Sequence, residues 1–187
     1  MHPPVVAHPL RADNPVKRGP PVRALTLWPR RIMDFTELVQ AIQTLNTEDA
    51  FRARLNAEQW RTVGPYLTQH DVRSGDLVIK QGDSDRSMYF LGRGSLQVFM
   101  TGGPPGSNRI AILRPGSVVG EPGLFIDGPR TASVEAMVPS VIWALRGPRL
   151  EELAQRSPAL ALELVRAAGG VMAARMRSNM TKQTPIT

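Results

Sequence analysis

Two charged residues, Glu121 and Arg130, stand nine residues apart in the stretch Val119–Ala136, which reads V-G-E-P-G-L-F-I-D-G-P-R-T-A-S-V-E-A. This spacing can place a carboxylate and a guanidinium on opposite sides of a small anionic sugar phosphate. Arg130 would offer a planar, permanently charged fork to phosphate oxygens. Glu121, which only accepts hydrogen bonds when it is ionised, suits a ribose 2′-hydroxyl.

The turn after Glu121 can add backbone N–H groups to such a site. Free amides and the dipole of a helical turn both favour an anion. Pro122 cannot donate, but the first helical position tolerates proline, and Gly123 presents its N–H with no side chain in the way. Two plainer readings remain open: a surface ion pair worth under ~1 kcal/mol, or a degenerate pocket that keeps these residues for packing.

Composition restricts what else the chain can do. Its 187 residues suffice for one ordinary domain, and no apolar run is long enough to cross a membrane. The absence of cysteine excludes disulfides, thiolate metal sites and cysteine nucleophiles. The only histidines are His2, His8 and His70, too few near the predicted strands for a metalloenzyme site or a catalytic triad. We therefore expect no metal and no enzymatic activity.

The positive charge is uneven along the chain. Residues 1–32 carry a net charge of +5 and the remainder only +2, and the first 32 residues also hold seven of the 17 prolines. This composition predicts a disordered basic tail, because it cannot bury enough apolar surface to offset its ordering entropy. Met33 is then the expected natural start, or the tail is a dispensable extension. Arg-rich tails can bind polyanions, but we expect solvated disorder.

Helical patterns follow the tail. Asp34 precedes apolar residues at helical spacing and is the expected cap of a first helix. A second short helix is predicted over Glu48 to Leu55, and a third from Ala57 to about Val63, capped by Asn56. Together they predict a helical layer over residues 34–64.

From Gln69 the apolar period changes to short runs that are separated by glycine-bearing turns. Such spacing is typical of an antiparallel sandwich or barrel, and we predict an α+β fold with a jelly-roll (a double-stranded β-helix) of about eight strands over 69–145. The runs are Leu77–Lys80, Met88–Leu91, Leu96–Met100, Ile110–Leu113, Val118–Val119, Ser133–Ala136 and Val141–Leu145.

Helices are expected again over 148–180. Pro148 suits the first turn of a short helix that ends near Ser157, and Pro158 begins a long one. Gly169-Gly170 in its middle predicts either a local kink or a close backbone approach, to the barrel or to a partner helix. The folded domain would then span 33–181.

Val119–Ala136 and the preceding strands resemble the cyclic nucleotide-binding domain family of the catabolite-activator and protein-kinase regulatory-subunit type. The family's phosphate-binding cassette, apolar-Gly-Glu-x-small-apolar followed by Arg-(Ser/Thr/Ala)-Ala-x-apolar-x-small, is matched at every position. An earlier family signature appears as Val78-Ile79, Gly82-Asp83, Met88–Leu91 and Gly94. Asp85 departs from the pattern, standing where a small residue is usual. Because that loop is expected to be structural, we expect the departure to matter little.

The resemblance implies the ligand and the residues that bind it. The ligand would be a cyclic mononucleotide, cyclic GMP or cyclic AMP, and no cofactor is expected. Thr131 shifts the odds modestly toward cyclic GMP. The expected ligand-binding residues are Gly120, Glu121, Gly123, Arg130, Thr131 and Ala132, and base contacts from the long C-terminal helix would come from Arg175, Ser178 and Asn179.

The expected function is that of a non-catalytic cytoplasmic sensor, standing alone without a helix-turn-helix, that signals through movement of its C-terminal helix. Its partner would be a second copy or another protein bound through that helix, and neither a membrane nor nucleic acid is expected. Two alternatives stay open: a DNA-binding regulator that relies on the basic tail or on another chain, and a structural interaction module with a vestigial pocket.

Overall fold

The computed structural model describes residues 34–102 and 109–183. Within these residues lie four α-helices and eight β-strands. The helices are α1 (Phe35–Thr44), α2 (Ala57–Val63), α3 (Gly147–Arg156) and α4 (Pro158–Gln183). The strands are β1 (Leu67–Val72), β2 (Leu77–Ile79), β3 (Ser87–Arg93), β4 (Leu96–Phe99), β5 (Arg109–Leu113), β6 (Val118–Val119), β7 (Ser133–Ala136) and β8 (Ser140–Arg146).

The strands form two antiparallel four-stranded sheets, in the orders β1-β8-β3-β6 and β2-β7-β4-β5. Consecutive strands repeatedly lie in different sheets, as in a jelly-roll. The predicted fold class is therefore confirmed. One strand, β1, begins two residues before the region predicted to be β-structure and was not among the predicted runs.

Both faces of the first sheet are buried, and this explains the unbroken apolar character of β8. Phe90 and Leu145 lie in a core shared with the helices, whereas Leu91 and Ile142 lie in a second core with residues of the other sheet, such as Val134. A strand that is buried on both faces loses the alternation of apolar and polar residues. The first sheet thus forms a middle layer between the helices and the second sheet.

The two predicted helix caps are confirmed. The Asp34 side chain accepts a hydrogen bond from the Thr36 amide at 3.2 Å. Asn56 and Gln59 form a reciprocal capping box, with N–O distances of 2.9 and 2.8 Å. Trp60 on α2 is buried in the core.

The predicted helix over Glu48 to Leu55 is wrong, because this segment has a turn followed by non-helical chain. Tertiary contacts outweigh local propensity here. Phe51 packs edge-on against Phe90 with ring centroids 5.2 Å apart, and the Arg54 amide donates to the Glu163 carboxylate at 2.7 Å. Such contacts stabilise the extended chain where a helix would have satisfied its own amides.

The predicted C-terminal helices are both present, and α4 continues without a break through Gly169-Gly170. A β-carbon added at either glycine would meet no atom of the described residues within 4 Å. A close approach of these glycines to the barrel is therefore absent among the described residues, and the kink stays a prediction. The approach of a partner helix stays a prediction.

Three other expectations concern the tail, the domain limits and the membrane. The predicted disordered tail, 1–32, lies outside the described residues. The domain limits 33–181 stay a prediction. In the described part of the chain, no helix is both long and apolar enough to cross a membrane.

Candidate functional site

The stretch with the predicted chemistry connects β6 to β7. Gly120 has a left-handed backbone, with φ of +83°, and starts a single 3-10 turn over Glu121–Leu124 with Pro122 in its first turn. We call Gly120–Leu124 the cassette turn. The Gly123 amide, predicted to face an anion, donates to the Gly120 carbonyl at 3.1 Å. That amide therefore closes the turn in this structure.

The backbone of Arg130 is held by the loop between β2 and β3. Its amide donates to the Asp83 carbonyl at 2.8 Å, and its carbonyl accepts from the Gly82 amide at 2.9 Å. The Gly82-Asp83 signature thus positions Arg130 through main-chain bonds, which explains why two motifs far apart in the chain accompany each other.

The glycines of the cassette turn make room for the Arg130 guanidinium. A β-carbon at Gly123 would lie 2.7 Å from Nη1 of Arg130, and one at Gly120 would lie 3.0 Å from the same atom. The first of these distances is closer than van der Waals contact allows. The side chain of Arg130 therefore lies against the turn and is itself buried, with 8% of the residue exposed.

The Arg130 guanidinium is already fully engaged with the protein on one edge. Nε and Nη2 donate to the two carboxylate oxygens of Asp85 at 3.0 and 2.5 Å. Nη1 donates to the Gly120 carbonyl at 2.9 Å, and Nη2 also donates to the Ser87 carbonyl at 2.6 Å. The expectation that Asp85 matters little was wrong, since its carboxylate contacts the predicted phosphate-binding group.

The environment of Asp85 favours its ionised form. Partial burial alone would raise the pKa of the Asp85 carboxyl, but the hydrogen bonds and positive charge of Arg130 outweigh it and the pKa is lowered. The pair is therefore a charge-assisted, two-point contact at neutral pH.

Glu121 is buried, with 2% of the residue exposed, and it too has a partner. Nη1 of Arg175, on α4, donates to its carboxylate at 2.6 Å. Nε of Arg175 donates to Asp49 at 2.8 Å, and Nη2 donates to the Val118 carbonyl at 3.0 Å. One side chain of α4 thereby connects the cassette turn, β6 and the segment before α2.

The two carboxylates that share Arg175 have opposite pKa shifts. Burial raises the pKa of Glu121, and the charge of Arg175 offsets this only in part. Asp49 is less buried, so although burial alone would raise its pKa, the hydrogen bond and charge of Arg175 lower it. The buried charge at Glu121 is thus the costlier of the two to maintain.

A cavity of about 370 Å³ lies beside this arrangement, in the size range of roughly 300–1,000 Å³ for small-molecule sites. One wall is apolar and comes from the second sheet and β6, with Val98, Leu113 and Val119. Most of the polar lining belongs to α4. This lining contains all three residues predicted to contact a base, namely Arg175, Ser178 and Asn179.

The remaining predicted residues are less enclosed. Thr131 is exposed, and Ala132 is half-buried just before β7. Sequence reasoning missed two residues, Asp49 and Asp85. The departure of Asp85 from the family pattern was a usable signal, whereas Asp49 had none, because it lies in the segment wrongly predicted as a helix.

The chain is similar in sequence to known proteins over its central part. Residues 69–157 match the family described as cyclic nucleotide-binding domain. A cAMP-dependent protein kinase regulatory subunit of Blastocladiella emersonii is 32% identical over 91 residues, which are 49% of this chain and 23% of that protein. A cGMP-dependent protein kinase of Caenorhabditis briggsae is 26% identical over 131 residues, 68% of this chain and 17% of the kinase. The chain thus matches only about a quarter, or less, of the length of these relatives.

A solved structure supports the fold alone. The cyclic nucleotide-binding domain from Methylobacillus flagellatus KT superimposes with a TM-score of 0.67 at 18% identity, covering 82% of this chain and 85% of that one. The two proteins therefore share their overall fold.

Proposed function

We propose, from the premise that residues 69–157 belong to the cyclic nucleotide-binding domain family, that this chain is a non-catalytic sensor of a cyclic mononucleotide. The observation that carries the proposal is the burial of two opposite charges, Glu121 within the cassette turn and Arg130 against it. Burying charge costs free energy unless each group is partnered. Arg175, which donates to Glu121, lines the cavity, and buried acids with shifted pKa values near a cavity are typical of a binding site.

Each part of the site has a role in the proposal. Arg130 takes the cyclic phosphate, whose single negative charge and two free oxygens suit a guanidinium. Glu121 accepts the ribose 2′-hydroxyl. The base enters the cavity between the second sheet and α4, where Ser178 and Asn179 offer hydrogen bonds.

The proposed ligand is cyclic AMP or cyclic GMP. The kinase regulatory subunits similar to this chain are named for cyclic AMP, and the similar kinase is named for cyclic GMP. Thr131, which follows Arg130, favours cyclic GMP, by the resemblance to the cyclic nucleotide-binding domain family. Its exposed hydroxyl is free to turn toward a phosphate or a purine substituent.

Signalling would pass through α4. Arg175 connects α4 to Glu121 and to Asp49. A ligand whose ribose hydroxyl donates to Glu121 would therefore change one of the contacts that hold the helix. A ligand shifts a conformational equilibrium only by its differential affinity for the two states. Exposed Leu162, Met176 and Met180 on α4 provide the surface for a second copy or a partner protein.

Calorimetric titration of the purified protein with cyclic AMP and cyclic GMP tests the proposal. We expect micromolar or tighter binding of at least one of them. Adenosine 5′-monophosphate and guanosine 5′-monophosphate are the matched controls, since they keep base and ribose but carry a larger, more charged phosphate. A folded protein that produces no heat with either cyclic nucleotide would refute the proposal.

A further inference from the structure

The contact between Asp85 and Arg130 has a consequence for the affinity of the proposed site. A guanidinium has five N–H groups. In Arg130, four of them donate to Asp85, Ser87 and Gly120 within the described residues. Only one N–H, on Nη1, remains for a ligand, and Nη1 lies against the cassette turn.

A carboxylate and a cyclic phosphate present the same features to a guanidinium. Each offers two oxygens that share one negative charge, and each can accept two parallel N–H bonds. Asp85 makes this two-point contact with the Nε and Nη2 edge of Arg130. A phosphate that sought the same edge would have to displace the Asp85 carboxylate.

The two partners differ in how firmly they are held. The Arg130 side chain is 6% exposed and has backbone bonds on both sides, whereas the Asp85 side chain is 40% exposed. Asp85 belongs to the non-helical, non-strand stretch before β3. Asp85 is therefore the partner that can move into solvent while Arg130 stays in place.

We propose that Asp85 is an internal competitor for the anion position of Arg130 and that it lowers the affinity of the site for the ligand's phosphate. The inference rests on the proposed function for the identity of the ligand. The apparent affinity of a site falls with the fraction of molecules in which it is open. A chain with a small residue at position 85, as the family pattern has it, would then bind more tightly.

The first experiment compares the wild-type chain with Asp85→Ala and Asp85→Asn by calorimetry with cyclic AMP and cyclic GMP. We expect Asp85→Ala to tighten binding by at least about tenfold, because the open fraction rises toward one. Asp85→Asn, which lacks the charge but keeps the shape, should lie between the two. Asp127→Ala is the matched control: it removes another acid near the same loop, 3.6 Å from Arg86 and 91% exposed, and should leave the affinity unchanged.

A second experiment keeps the inference testable without a nucleotide. Inorganic phosphate should raise the Tm of Asp85→Ala in a concentration-dependent way, and should raise that of the wild-type chain and of Asp127→Ala less. If cyclic nucleotides bind neither protein but phosphate shows this difference, the proposed function fails and the competition stands.

Two results would overturn the inference. The first is equal or weaker nucleotide binding by a folded Asp85→Ala variant, which would mean that Asp85 supports the orientation of Arg130. The second is an identical phosphate response in the wild-type and Asp85→Ala chains.

Discussion

The two arginines of the site, Arg130 and Arg175, are both paired with acids, but they belong to different kinds of structure. The partners of Arg130 lie within the barrel and its loops, and its side chain is only 6% exposed. Arg175 connects α4 to Asp49, Glu121 and Val118, in elements that lie far apart in sequence, and its side chain is 30% exposed. Arg130 thus has its partners within the barrel, whereas Arg175 holds α4 to other elements.

Under the proposed function, this difference would separate ligand affinity, which depends on Arg130, from signalling through α4, which depends on Arg175. A change at Arg130 should alter both the free energy of unfolding and the affinity for an anion, because the same N–H groups contribute to both. A change at Arg175 should alter mainly the docking of α4. Substitutions at these arginines and at their acidic partners test this difference.

Arg130→Ala should have the largest effect. It removes the hydrogen bond to the Ser87 carbonyl and one of the two that the Gly120 carbonyl accepts, the other coming from the Gly123 amide. A buried polar group left unsatisfied costs about 1–3 kcal/mol. Nucleotide binding should weaken by at least about tenfold, since a charge-assisted contact is lost. Urea unfolding and calorimetry measure the two effects. Arg93→Ala, at an exposed arginine on β3, is the control, and an equal loss in both variants would contradict the role of Arg130.

Glu121→Ala should affect the ligand more selectively. If Glu121 accepts the 2′-hydroxyl, the variant should lose about 1–3 kcal/mol of binding energy for cyclic nucleotides and much less for their 2′-deoxy analogues. Competition binding with both ligand series measures the difference. Equal losses for both series would reject the assigned role.

Arg175→Met should release α4 while leaving the barrel intact. The pair of Arg175 with the partly exposed Asp49 contributes only about 1 kcal/mol. The loss of the arginine also leaves the buried Glu121 carboxylate without its cation, which costs more. Faster amide hydrogen exchange is expected in the last turns of α4, with little change in β3 and β8. Arg177→Met, at an exposed arginine on the same helix, should show no such change. Uniformly faster exchange would mean that α4 is not a separate unit.

The smallest expected effect is on the pH dependence of stability. The folded pKa of Asp85 is lowered, so its contribution is complete above the unfolded pKa of about 3.9 and is lost as the pH falls through the folded pKa. Because the group is partly exposed, this contribution is below about 1 kcal/mol. The folded pKa of Glu121 is raised, so its contribution has the opposite sign and is lost as the pH rises through that pKa.

Urea unfolding between about pH 3 and pH 7 checks both signs. Compared with the wild-type chain, Asp85→Asn should lose less stability as the pH falls through the acidic range. Glu121→Gln should lose less as the pH rises. The same slope in both variants would mean that neither carboxylate has a distinct environment.

Local patterns in the sequence were sufficient to predict those features of the fold that depend on contacts between neighbouring residues. Asp34 and Asn56 cap helices because each side chain reaches an amide within its own turn. The strand positions of β6 and β7 follow from apolar runs that are bounded by turns. The cassette turn was visible because a left-handed glycine and a tolerated proline are requirements of the backbone itself.

The pairing of charges was decided only by the tertiary structure. Asp85 and Arg130 are 45 residues apart, and Asp49 and Arg175 are 126 apart, so no local spacing could have matched them. Asp49 lies in a turn, and the chain after it is non-helical because Phe51 and Arg54 have distant partners. The sequence was sufficient to identify Glu121 and Arg130 as groups that could bind an anionic nucleotide. Folding decided that each already has a protein partner, because a charge enclosed by the barrel and helices must be neutralised where it lies.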